Sequence, residues 1–139
     1  MPEGDLKATP ITQLVRNPGR ADYDRDSVNQ IIDATPLCHV SYIIDGRPYV
    51  TPTLQWREGD TIYWHGSSAS RFLRQIVDKE VCMAITHFDG FVLARSSFHH
   101  SINYRSIMLF GQATKIEDDD KNALLDSFVE TLIPGRLET

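Results

Sequence analysis

Tyr63-Trp64-His65-Gly66-Ser67-Ser68-Ala69-Ser70-Arg71-Phe72-Leu73 reads as the end of a β-strand, a small polar turn and the start of a helix. Thr61, Ile62, Tyr63 and Trp64 are β-branched or aromatic, as strands prefer. Gly66 is free to take positive φ and end the strand, and Ser67, Ser68 and Ser70 offer N-caps. Phe72, Leu73 and Ile76 then repeat at helical spacing. A helix N-terminus presents free N–H groups and the positive end of its dipole, which suit an anion. Arg71 adds a planar fork of donors that matches a phosphate. The stretch has the composition of a phosphate seat beside an aromatic wall. A capped surface helix with one solvated arginine uses the same residues.

Toward the N-terminus, Glu58-Gly59-Asp60 is the turn into strand Thr61–His65. Before it, residues 37–44 and about 47–56 form two strands joined by Asp45-Gly46, a hairpin signal because a type I′ turn needs φ > 0 at both positions. Pro52 sits within the second strand. Lacking an N–H, it marks an edge or a bulge, and bulges re-aim backbone groups. Thr51 and Thr53 flank it and point to one face. Asp26-Ser27 opens a helix with Val28, Ile31 and Ile32 on one side. That helix ends before Pro36, because the residue before proline avoids the α region. Residues 1–22 read as an extended N-terminal arm and residues 23–139 as the domain.

Toward the C-terminus, the helix runs to about Asp78 and Val81–His87 is a strand. Phe88-Asp89-Gly90-Phe91 carries a second Asp-Gly hairpin signal, returning as Phe91–Arg95. Residues 96–103 form a polar loop. Tyr104–Ile116 is a long strand around Ile107-Met108-Leu109-Phe110, in which Gly111 predicts a bend or bulge. An amphipathic helix over about 118–132 carries Leu124, Leu125, Phe128 and Leu132 as its stripe, and Pro134-Gly135 stops it. About six strands with short turns, and helices at the start, middle and end, predict a mainly β protein: a small antiparallel barrel with peripheral α-helices. The order lacks the βαβ alternation of a doubly wound sheet.

The 139 residues suffice for one core. A formal net charge of -5 argues against nucleic acid or an anionic membrane as a partner. No apolar run is long enough to span a bilayer, and Met1-Pro2-Glu3-Gly4-Asp5 has no signal pattern, so a cytoplasmic location is expected. Cys38 and Cys82 lie in apolar stretches without a CxxC pattern and are expected as buried free thiols. Adjacent His99-His100 lack a cysteine or carboxylate at a familiar ligand spacing, so no metal site is expected. His39 and His87 read as partly buried strand residues. The sequence has no G-x-S-x-G, P-loop or G-x-G-x-x-G motif. Ser70 with His65 is the one close nucleophile–base pair, and it lacks an orienting acid. Ser101-Ile102-Asn103-Tyr104-Arg105-Ser106 is a second dense polar group. Its Arg105 and Ser106 stand at the start of an apolar strand, a placement that can pin a ligand's polar edge.

Together the two polar groups carry a resemblance. Tyr63–Arg71, Ser101–Gly111 and, more weakly, Gly46-Arg47-Pro48-Tyr49-Val50-Thr51-Pro52 resemble the FMN-binding split-barrel proteins related to pyridoxamine 5′-phosphate oxidase, above all the Nim-type, nitroimidazole-resistance branch. The resemblance covers about residues 20–136 and implies an FMN-binding split β-barrel that holds FMN at a homodimer interface. It implies that Val50, Thr51, Pro52, Thr53 and Leu54 line the isoalloxazine, with Trp64 and His65 beside the ring or ribityl chain. Ser70 and Arg71 would hold the phosphate, Ser106 would touch the flavin, and Arg105 would reach the cofactor of the second subunit. His65 is the candidate for a reactive or gating role. The oxidases' richly cationic phosphate site is reduced here to Arg71, and their C-terminal Arg-x-His has no counterpart. The resemblance therefore implies a flavin-dependent reductase of a small organic acceptor rather than pyridoxamine phosphate oxidation. A flavin or haem binder without turnover, and a structural dimer with a degenerate site, use the same barrel.

Overall fold

The computed structural model describes residues 24–65, 71–96, 100–116 and 118–134; of residues 65, 71, 72 and 118–121 it describes the backbone alone. Three helices and five strands follow in the order α1 (Arg25–Ala34), β1 (Leu37–Ile44), β2 (Arg47–Glu58), β3 (Thr61–His65), α2 (Arg71–Ile76), β4 (Glu80–Val92), β5 (Ser101–Gln112) and α3 (Asp118–Leu132). The strands form one antiparallel sheet in the order β3-β2-β1-β4-β5. The mainly β, antiparallel class expected from sequence is the class observed. Among the described residues the sheet has five strands and stays open, rather than about six.

The missing strand has a local cause. Asp89-Gly90 does not turn the chain. β4 runs on through Val92, and the ladder with β5 slips by one residue between Phe88 and Gly90. Phe88 faces Tyr104 and Gly90 faces Asn103, so Asp89 is the extra residue of a bulge. Gly111, by contrast, pairs with Val81 in an unbroken register, and no bulge forms there. Asp45-Gly46 does make the expected turn, with φ of 52° and 75°.

Helix α1 starts earlier than the sequence suggested. Asp24 is its N-cap, and the carboxylate accepts from the Ser27 N–H at 3.0 Å. It ends at Ala34, ahead of Pro36 as expected. Buried Gln55 fastens that end to the sheet, its Nε2 donating to the carbonyls of Ile32 (2.8 Å) and Thr35 (2.7 Å). The Ile32 carbonyl, in the last turn, also accepts a long 3.4 Å bond from the Thr35 N–H, and Thr35 is the C-cap, just past the helical ladder. Arg57 reinforces the join through Asp33, with Nε–Oδ1 2.9 Å and NH2–Oδ2 2.6 Å.

Strand residues alternate between two faces. The register puts Cys38, Val40 and Tyr42 of β1 on the same face as Val81, Met83 and Ile85 of β4. Val28 and Ile32 of α1 and Ile76 of α2 join them in the core. Leu73, Ile107, Leu109 and Trp64 pack against its margin. One face of the sheet is thus covered by helices over its β1–β4 centre. The other is covered at one end only, where Phe128 of α3 lies 4.7 Å from the buried Trp56 ring and Tyr63 stacks on Trp56 at 5.4 Å.

Candidate functional site

The uncovered part of the second face is where the chain is out of balance with water. Leu37 and Ile43 of β1, Val50 and Leu54 of β2, and Met108 and Phe110 of β5 are all exposed on it, Val50 at 63% and Met108 at 62%. At the far end of β4 and β5, Phe88 and Phe91 meet edge to face with centroids 5.1 Å apart, and both are exposed. Monomeric soluble proteins rarely expose a contiguous apolar area of this kind unless something else covers it.

Beside this face β2 has an open edge. β3 pairs with residues 54–58 of β2 only, so residues 47–53 carry no strand on that side. The Gln55 N–H bonds the Pro36 carbonyl, on the side that leads into β1. Backbone groups alternate along a strand, so Pro48, Val50 and Pro52 direct theirs to the open side. Two of these three residues have no N–H to offer. The edge therefore presents three carbonyls and one donor, the Val50 N–H. Pro52 is an edge proline, as its missing N–H predicted, and the ladder with β1 passes it without a bulge. An edge blanked by prolines resists pairing with another strand while leaving a few fixed polar groups for a ligand.

The residues named from sequence divide between the two faces. Val50, Pro52 and Leu54 stand on the open face; Thr51 and Thr53 stand on the helix-covered one. The Thr51 Oγ1 meets the Tyr42 hydroxyl at 2.8 Å. Trp64, opposite Gln55, packs against the core rather than on the open face. His65 is paired with Leu54, which puts its backbone at the end of β2's protected edge. Ser106 shares the open face with Met108, whereas Arg105 shares the covered face with Ile107. There Arg105 is held by the bulge residue: its Nε and NH2 donate to the two Asp89 oxygens, both at 3.2 Å. The His87 Nε2 lies 3.6 Å from the same carboxylate, and its Nδ1 meets the Thr35 hydroxyl at 3.1 Å. The expected phosphate seat, residues 66–70 with the Arg71 side chain, lies outside the described residues, as do the N-terminal arm and His99.

Two features were not legible beforehand. His39, expected to be partly buried, is exposed on the open face, opposite Pro52 on one side and Ala84 on the other. The alternation in Leu37-Cys38-His39-Val40-Ser41-Tyr42 held the signal, since His39 and Ser41 fall in the less apolar set. The Asp89–Arg105–His87 cluster was hidden because Asp-Gly is the same signal for a turn and for a bulge. Both cysteines are free, as expected, but only Cys38 is buried, Cys82 being partly exposed on the open face; burial of the Cys38 thiol raises its pKa to about 11. A separate cavity of about 210 Å³, lined by Ile32, Gln55, Trp56, Arg57 and Leu132, lies away from these residues.

A mainly β antiparallel sheet with one helix-covered face and one bare apolar face beside a proline-blanked edge is the architecture of a split-barrel β-protein. The sequence pattern of pyridoxamine 5′-phosphate oxidase matches residues 24–139, and the chain belongs to that family. Among solved structures it is similar to the flavocytochrome Anf3 from Azotobacter vinelandii, with 44% identity, TM-score 0.84, 94% of this chain and 61% of that one. It is also similar to the FAD and haem binding protein from Mycobacterium smegmatis, with 37% identity, TM-score 0.77, 84% of this chain and 58% of that one. A candidate 5-nitroimidazole antibiotic resistance protein from Bacteroides thetaiotaomicron matches at 26% identity and TM-score 0.63, over 79% of this chain and 67% of that one. The chain spans about three fifths of the length of the first two. A comparison with curated proteins finds no match. Among the described residues no helix is long and apolar enough to cross a membrane.

Proposed function

We propose that this chain is the flavin-binding domain of a cytoplasmic oxidoreductase that works as a homodimer. The observation that carries this reading is the bare apolar face beside the open edge of β2. A second copy laid on that face would remove it from water at about 25 cal/mol for each Å² of apolar surface covered. The isoalloxazine fits against Val50, Pro52 and Leu54, where its polar rim would meet the Val50 N–H and the edge carbonyls. Ser106 faces the same space. Ser70 and Arg71 would hold the phosphate, and Arg105, which Asp89 holds on the helix-covered face, would have to leave that carboxylate to reach the second subunit's cofactor. When bound, the flavin supplies hydride or electron transfer. The chain's own residues orient the ring, exclude water and, at His65, donate a proton to a small organic acceptor such as a nitro compound or quinone.

FMN is the form that the family resemblance implies and needs only the single phosphate seat. FAD is the form named for the relative at 37% identity, so both are tested. A haem is a second reading, favoured because the relatives at 44% and 37% identity are a flavocytochrome and a haem binding protein.

The test is the absorption spectrum of the purified protein before and after incubation with FMN, FAD or haem and removal of the excess. Flavin bands that stay with the protein are expected, and heat release followed by chromatography identifies the form. Arg71→Ala is expected to weaken the flavin by about 1.5–3 kcal/mol, as for a charged hydrogen bond. A Soret band alone moves the reading to haem. A protein that retains no cofactor overturns the proposal and leaves a structural dimer.

A further inference from the structure

We infer that His39 is the side chain that hydrogen-bonds the flavin ring from the floor of the sheet and raises its reduction potential. The inference rests on the flavin reading above and adds to it a residue that neither the motifs nor the family resemblance singled out. His39 is exposed in mid-strand on the open face. Its register neighbours are Pro52 and Ala84, and its neighbours along β1 on that face are Leu37 and Ser41. None of the four carries a charge, and three are short, so the imidazole stands above the floor around it. Cys82, diagonal to it on β4, is the other ionisable side chain nearby, and burial raises its thiol pKa, which keeps it neutral.

Covering the face affects its side chains unequally. The apolar side chains gain by leaving water, whereas an imidazole without a partner loses its hydration and opposes the covering. Among the described residues, no group hydrogen-bonds the His39 imidazole, unlike that of His87 with Thr35 or of His100 with the Ala94 N–H. The partner must come from what covers the face. A flavin brings carbonyl oxygens and ring nitrogens to that place, one strand inward from the edge that offers the Val50 N–H. A donor aimed at a flavin carbonyl is a stronger contact in the reduced ring, where those oxygens carry more negative charge, so it favours reduction.

The test is a redox titration of the full chain loaded with whichever flavin it retains, compared with His39→Leu, His39→Ala and His39→Gln. His39→Leu is expected to keep the flavin and shift the oxidised-to-reduced equilibrium at least tenfold toward the oxidised form, about 30 mV for a two-electron couple. His39→Ala carries the same expectation if His39→Leu fails to fold. His39→Gln keeps a donor and is expected to recover most of the shift. Flavin retained with an unchanged potential in the Leu and Ala variants overturns the role of His39 while leaving the flavin reading intact. Wild-type protein that retains neither FMN nor FAD overturns the flavin reading, and this inference with it.

Discussion

The two faces of the sheet are made by alternate residues of the same strands, yet they meet different fates. On the covered face Val40 and Ile85 are at 0% exposure under α1 and α2. On the open face Val50 and Met108 remain more than half exposed. The apolar content of the two sets is similar; the cover differs. A side chain's hydrophobicity thus says that it favours burial, and the topology says whether the chain's own helices supply the cover: they do on one side and, over most of the sheet, do not on the other.

The largest expected effect tests that division directly. Ile85→Ala removes a fully buried side chain and should cost about 2–5 kcal/mol in urea unfolding. Met108→Ala, on the open face, should change monomer stability at dilute concentration by no more than about 0.5 kcal/mol. Its effect should appear in self-association, read by sedimentation across a concentration series. Comparable losses in unfolding for the two variants would break the distinction between the faces.

Alkaline unfolding sharpens it next. Cys38 on the covered face has its pKa raised to about 11 from 9.0. Between those values the unfolded chain has lost the proton and the folded one keeps it, so stability falls as pH rises from about 9 to 11. The full loss is about 2–3 kcal/mol. Cys38→Ala should flatten that part of the stability–pH curve; an unaltered slope would assign it to other groups.

Smaller effects follow at the joins. Gln55→Ala removes the side-chain donor from the Thr35 carbonyl and leaves the Ile32 carbonyl only the 3.4 Å bond from the Thr35 N–H; it should cost about 1–3 kcal/mol, with faster amide exchange at the end of α1. Asp89→Asn, at the half-exposed cluster with Arg105 and His87, should cost about 1 kcal/mol or less. Its sharper readout is geometric: freeing Arg105 should alter flavin affinity only if that arginine reaches the second subunit's cofactor. Unchanged affinity would confine Arg105 to its own chain.

Much was legible without a structure. The Asp45-Gly46 hairpin, the stop of α1 before Pro36, the edge character of Pro52, the strand at 61–65 and the helix at 71–76 all follow from local chemistry. Glycine's freedom at positive φ, proline's missing N–H and the caps of helices act within a few residues, so the sequence by itself determined them. The mainly β class followed from their sum. Whether Asp89-Gly90 would turn or bulge was decided by tertiary structure, because β5 supplies a long partner that keeps β4 extended through Val92. The same is true of which alternate set is covered. Thr51 and Trp64 went to the core side, and His39 to the open side, because α1 is pinned by Gln55 and Arg57 to one face and α3 reaches only the Trp56 end of the other. Strand periodicity states that two faces exist; only the packing of distant elements chooses which one is left bare.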